Sequence, residues 1–153
     1  MNKEDKKNAY LYCKFRDEQF ALYDEYAKRH GMMMKTLLVV NILFYAEDGI
    51  TQTDICQRTF QSKQTVNLII KNLLAERYVT VTEVPENKRN KIVRMTEAGR
   101  AYCEQVVRHI TWAEDTAMSM FTAEEQKQLI DLSRTFTKNL MKLVNQETEE
   151  MKE

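Results

Sequence analysis

Strict alternation of apolar and polar side chains reads clearly in one place in these 153 residues. That place is Tyr78-Val-Thr-Val-Thr-Glu-Val, answered by Lys91-Ile-Val-Arg-Met. A period of two puts successive side chains on opposite faces of a pleated strand, so each run is a half-buried strand. Between them Pro85-Glu-Asn-Lys-Arg-Asn is a polar turn. Pro85 cannot donate to a ladder, and Asn87 tolerates turn geometry. One small strand pair cannot make a β core by itself, so the remainder must be helix packed on helix. Three Gly and one Pro leave little room for a linker. The expectation is a single domain over 1–153, mainly α with a small β-hairpin, long enough to bury a core without a disulfide or a metal.

Helical periods fill the rest. The spacing predicts a first helix over about 7–29, with Leu11, Phe15, Leu22 and Tyr26 on one stripe and Cys13, Phe20, Tyr23 and Ala27 on another. A helix apolar on two sides is sandwiched between its own domain and something else. Gly31 is suited to cap it. A second helix, about 33–47, is apolar nearly all round and belongs inside. Thr51 is placed to N-cap a short helix over 52–59, and Ser62 a second one reaching about residue 77. In that second helix Val66, Ile70, Leu73 and Arg77 keep helical spacing, with Ile69 and Leu74 widening the apolar face. Gln64, Asn67 and Lys71 fall on the opposite side. After the hairpin, Thr96 caps a long helix over 97–120, with Tyr102, Val106, His109, Ala113, Ala117 and Met120 as its stripe. Thr122-Ala-Glu-Glu is a capping box for the last helix, where Leu129, Leu132, Phe136, Leu140 and Leu143 recur at near-heptad spacing.

Composition excludes several classes. The longest purely apolar run, Leu37 to Val40, is far too short to span a bilayer. No apolar segment follows the charged N-terminus, so a cytoplasmic, nucleoid-associated protein with no membrane partner is expected. Three cysteines without CxxC spacing read as reduced thiols. His30 and His109 are the only histidines, and neither has a partner at i, i+4. No metal site and no cofactor is therefore expected. No phosphate loop, nucleophile elbow or paired catalytic motif appears, so an enzyme is not expected.

The formal net charge is zero, but it is segregated. Residues 58–100 hold nine Lys/Arg against four acids, a net of +5, between a near-neutral start and an acidic end. A basic middle suits one surface that faces a polyanion. It coincides with a short helix, a tight turn, a second helix with a polar outer face, and a hairpin with a cationic tip. DNA's major groove admits one helix, whose first turns reach base edges. The candidate DNA-contacting residues are Thr51 and Gln52 in the first helix and Ser62, Lys63, Gln64, Thr65, Asn67 and Lys71 in the second. Asn87, Lys88 and Arg89 complete the set at the hairpin. The Gln64 and Asn67 amides can pair with adenine, Lys63 and Lys71 can take guanine or phosphate, and a hairpin Arg suits the electronegative minor groove.

These residues carry a family resemblance. The run Ile50 to Val81 resembles the helix-turn-helix of the MarR family, and Pro85-Glu-Asn-Lys-Arg-Asn-Lys-Ile-Val-Arg-Met-Thr-Glu-Ala-Gly resembles its wing and the start of its next helix. Asn87 stands where that family typically carries an acid two residues before the wing arginine, which Arg89 matches. The resemblance implies a winged helix-turn-helix lobe over 33–100, with recognition helix 62–77 and wing 84–92. It implies dimerisation helices over 1–32 and 121–145 and a connecting helix over 96–120. It further implies a sequence-specific regulator, a repressor, that binds a pseudo-palindromic double-stranded DNA operator as a homodimer. The seam would be built from Leu11, Phe15, Leu22, Leu129, Leu132, Phe136, Leu140 and Leu143. A small aromatic or anionic effector would relieve repression from a cleft lined by Tyr26, His30, Met34, His109 and Trp112. Two other readings remain open at this point. One is a redox-responsive regulator that uses Cys13, and the other is a winged-helix protein-docking module that does not bind DNA.

Overall fold

A computed structural model of the chain describes residues 2–84 and 86–150, with the side chains of 87–90 and 147–150 left aside. The elements in chain order are α1 (Lys3–Arg29), α2 (Met34–Tyr45), β1 (Ile50–Thr51), α3 (Gln52–Thr59), α4 (Lys63–Ala75), β2 (Val79–Val84), β3 (Asn87–Met95), α5 (Glu97–Ser119) and α6 (Ala123–Glu150). The fold is mainly α with a small antiparallel sheet, as the single alternating pair implies. The chain divides into two compact units, 1–109 and 110–153, with the boundary inside α5.

The first unit holds a continuous apolar core. Leu37, Val39, Val40, Leu43 and Phe44 of α2 lie at its centre, against Ile55 of α3, Val66, Ile70 and Leu73 of α4, and Val79 and Val93 of the sheet. Cys103, Val106 and Val107 of α5 and Tyr26 and Ala27 of α1 complete it. The Tyr26 hydroxyl donates to the Val106 carbonyl at 2.9 Å, a buried tie between α1 and α5. Helix starts are set by the polar residues that precede them. Asn2 and Asp5 form a capping box on α1, so that helix begins at Lys3, four residues before the period suggests. Thr51 Oγ1 accepts from the Asp54 N–H at 3.1 Å, and Thr96 Oγ1 accepts from the Gly99 N–H at 3.0 Å.

Four expectations need correction. The sheet has three strands in the order β1-β3-β2, not two, because Ile50 and Thr51 pair antiparallel with Val93 and Ile92. That pairing needs Gly49 at φ +85, where a Cβ would meet Arg94 Cγ at 2.6 Å and the Val93 carbonyl at 2.9 Å. The returning strand begins at Asn87 rather than Lys91. Val84 pairs with Asn87 and Glu83 with Lys91, so Lys88, Arg89 and Asn90 have no counterparts on β2 and form a bulge. Helix α4 ends at Ala75, two residues early, because Arg77 adopts a left-handed conformation. Finally, the buried face of α5 in the first unit carries Cys103, Val106 and Val107, while Tyr102 and His109 are exposed. The close seat of Gly99 on the Tyr78 carbonyl, where no Cβ fits, sets that rotation.

In the second unit, the capping box at Thr122 opens α6. The Thr122 N–H donates to Glu125 Oε2 at 2.8 Å, and the Glu125 N–H donates to Thr122 Oγ1 at 3.3 Å. These bonds to Thr122 hold the Glu125 carboxyl below its ordinary range. Along α6, Leu129, Leu132, Leu140 and Leu143 are exposed and Phe136 is half-buried.

Candidate nucleic-acid interface

Helices α3 and α4 are joined by a turn held by backbone geometry and one side chain. Phe60 takes φ +54 directly after α3, which reverses the chain in a single residue. Gln61 Nε2 then donates to the Lys35 carbonyl at 3.1 Å and ties the turn to α2. Ser62 starts α4, its Oγ accepting from the Thr65 N–H at 3.1 Å and lying 2.9 Å from Thr65 Oγ1. The hydroxyls of Ser62 and Thr65 therefore serve the cap before any ligand. By helix geometry the N–H groups of Lys63 and Gln64 are left without an intrahelical acceptor. Such N–H groups at a helix start favour an anion.

Val66, Ile69, Ile70 and Leu73 bury one side of α4, and Lys63, Gln64, Asn67 and Lys71 stand exposed on the other. A groove of about 700 Å³ separates α4 from the hairpin. Lys63, Asn67, Lys71 and Gln52 line it, facing Lys91, Glu83 and Val81 of the hairpin, with Ile70 and Leu74 as its apolar floor. The structure thus brings Gln52, Lys63, Asn67 and Lys71 together on one open groove. Gln64 and Ser62 are exposed beside it, and Thr51 and Thr65 are half-buried at the two caps. Asn87, Lys88 and Arg89 belong to β3, but their side chains lie outside the described residues.

Not every cation in the basic block reaches this surface. Arg100 Nη2 donates to the Phe44 carbonyl at 3.1 Å while its guanidinium sits 4.4 Å over the Phe44 ring, so its charge braces the core. Arg94 Nη1 donates to Thr82 Oγ1 at 3.0 Å across the sheet, and Arg58 lines a separate cleft with Asp48 and Asp54. Lys91, counted in the block but not singled out as a contact, does face the groove. It lies two residues from the buried Val93 and so on the same face of β3, the face turned to α4, but it is exposed. The hairpin is anchored at its base, where Tyr78 and Tyr102 stack at 4.3 Å and Thr96 Oγ1 donates to the Arg77 carbonyl at 2.7 Å.

A second cleft, of about 330 Å³, lies where the end of α1 meets α5. Tyr26, His30 and His109 line it, with the His30 and His109 rings 4.5 and 5.9 Å from the Tyr26 ring. Arg29 and Gln105 line it too and were not foreseen, although Gln105 precedes His109 by one helical turn and Arg29 adjoins His30. Met34 is half-buried at the start of α2 and is not part of the lining, and Trp112 belongs to the second unit. Burial pushes the Tyr26 phenol up, against the Arg29 charge, so it stays a donor. Arg29 and the two imidazoles suit an anion, and the Tyr26 ring suits a flat one.

The thiols differ in setting. Burial pushes Cys103 up to about 11, which leaves it protonated and inert near neutral pH, whereas Cys13 and Cys56 are half-buried. Among the described residues no group of three His, Cys, Asp or Glu side chains could hold a metal ion, and no helix is long and apolar enough to cross a membrane.

A model of the MarR family matches residues 37–90. No curated protein matches the chain. Solved structures do. The chain is similar to MepR of S. aureus in complex with DNA at 21% identity, with 88% of this chain and 96% of that one covered and a TM-score of 0.66. It is similar to AbsC, a MarR family transcriptional regulator from Streptomyces coelicolor, at 14% identity, 92% and 97% coverage and a TM-score of 0.76. PcaV, a transcriptional regulator from Streptomyces coelicolor in complex with its natural ligand, matches at 18% identity, 85% and 91% coverage and a TM-score of 0.64.

Proposed function

Because residues 37–90 are a MarR-family segment, we propose that the chain is a sequence-specific, DNA-binding transcription regulator that represses as a homodimer. Helix α4 enters the major groove, and the β2–β3 hairpin lies along the neighbouring minor groove with Arg89 as its cation. The observation that carries this reading is the groove between α4 and the hairpin. It sets Lys63, Lys71 and Lys91 on one surface, beside the exposed amides of Gln64 and Asn67. Lysines supply the sequence-independent attraction to phosphate, and amides supply bidentate pairing to adenine. The solved MepR complex with DNA supports the same use of the fold. The Tyr26, Arg29, His30 and His109 cleft takes a small aromatic anion that relieves repression, a role supported by the ligand bound to PcaV. Under this reading 1–32 and 121–145 are the dimerisation segments and 33–100 is the DNA-binding lobe.

The test is selection of binding sites from a random DNA pool, followed by the Arg89→Ala variant on the selected site. The expected site is an imperfect palindrome. Arg89→Ala should weaken binding and lower the slope of log affinity against log salt by about one per half-site, so by about two for the dimer. A chain that enriches no DNA at low salt is instead a protein-docking module. An Arg89→Ala variant with unchanged affinity and slope removes the hairpin from the interface.

A further inference from the structure

Helix α4 carries one side chain that neither the core nor the groove explains. Leu68 is 60% exposed, one helical turn beyond Gln64 and adjacent to Asn67. At 3.6 residues per turn, the direction opposite the buried set Val66, Ile69, Ile70 and Leu73 runs within about 10° of Gln64, and Leu68 and Lys71 flank it at roughly 30° on either side. Leu68 therefore points away from the core about as squarely as Lys71 does. It lies on the side of α4 away from the hairpin and is not among the groove-lining residues. An isolated apolar side chain on a surface is ordinary. This one is placed within a set of amides and lysines on the face assigned to base edges.

The floor of the major groove offers one apolar group, the C5-methyl of thymine. We propose that Leu68 is a specificity-determining residue that packs on a thymine methyl and selects thymine over cytosine at one base pair of each half-site. Cytosine at that position would turn its N4 amino donor toward an aliphatic side chain and lose a hydrogen bond to water without replacement. Gln64 and Asn67 read hydrogen-bonding edges and Leu68 reads shape and methyl. This inference rests on the DNA-binding reading of α4.

The experiment replaces each thymine of the selected operator by uracil, one position at a time, and measures affinity of the full-length wild type and of Leu68→Ala. Uracil keeps the Watson–Crick edge and removes only the methyl. At one thymine per half-site, wild type should lose about fourfold on uracil, the worth of one buried methyl-sized group. Leu68→Ala, which loses the contact in both half-sites, should bind the thymine operator about as weakly as wild type binds an operator with uracil at both symmetry-related positions, roughly sixteenfold below wild type, and should lose nothing further on uracil. Circular dichroism of Leu68→Ala should match wild type, as expected for an exposed position. Selection with Leu68→Gln should shift the preferred base at that pair. If wild type discriminates no thymine from uracil, or if Leu68→Ala keeps the whole discrimination, Leu68 reads no methyl, while operator binding and its salt dependence still stand. If wild type selects no DNA at all, both readings fall together.

Discussion

Three exposed side chains of α4 carry two kinds of chemistry, which separates base reading from positioning. Gln64 and Asn67 present amides, each with a donor and an acceptor in a plane, the pattern that matches adenine N6 and N7. Lys71 presents a point charge, which suits phosphate as well as guanine. Gln64→Ala and Asn67→Ala should each cost about 1–3 kcal/mol at particular base pairs and little elsewhere. Lys71→Ala should weaken all sites nearly alike and lower the salt slope by about one per half-site. Equilibrium binding across a panel of single-base operator variants at two salt concentrations distinguishes these outcomes. Uniform losses from all three substitutions would mean that this face of α4 only holds the protein against the backbone of the duplex.

At the scale of elements, the end of α4 departs from what residue types prefer. The Tyr78 N–H donates to the Leu73 carbonyl at 2.9 Å and the Arg77 N–H to the Leu74 carbonyl at 3.0 Å. This pattern of paired bonds closes a helix around a left-handed residue, which is usually Gly. The end of α1 uses it with Gly31, whereas α4 uses it with Arg77 at φ +61. A left-handed residue with a Cβ costs roughly 1–2 kcal/mol. Arg77→Gly should therefore raise unfolding stability by about 1 kcal/mol, read by urea denaturation, with α4 still ending at Ala75. No gain would mean that the Arg77 side chain makes up for the strain. Arg77 also marks where the sequence stops being legible. Helix starts were readable because Thr51, Ser62, Thr96 and Thr122 announce themselves chemically. The stop at Arg77 was not, because nothing in that side chain signals a positive φ, whereas α3 ends at Thr59 where the spacing puts it. Strand β1 is two residues long, too short for any period, and only its pairing with β3 reveals it. In the site, the 3.6-residue period located Gln64, Asn67 and Lys71. It missed Lys91, which tertiary packing brings across to α4, and Leu68, whose apolar character disguised an outward position.

At the scale of the molecule, both ends of the chain carry apolar stripes without full cover. On α1, Leu11, Phe15 and Leu22 are exposed, and on α6, Leu129, Leu132, Leu140 and Leu143 are exposed and, with the half-buried Phe136 between them, recur at spacings of three and four residues. Full burial of each such side chain is worth about 1.5–3 kcal/mol, and several in one seam can offset the entropy lost on association. Their near-heptad spacing on α6 suits packing against another helix, and a second copy of the same chain supplies an identical stripe through a two-fold axis. Two recognition helices related by that axis would meet successive major grooves about 34–36 Å apart, which is why the operator should be an imperfect palindrome with half-site centres one turn apart. Leu140→Glu would place a charge in the seam of the dimer but leave it in water on the separate chain. It should therefore release a folded monomer, seen by sedimentation together with an unchanged helical signal. Operator affinity should fall much further than with Arg89→Ala, because each half-site would then be bound on its own. A wild-type chain that sediments as a monomer at micromolar concentration and binds an asymmetric half-site at full affinity would overturn the dimer and the two-groove mechanism with it.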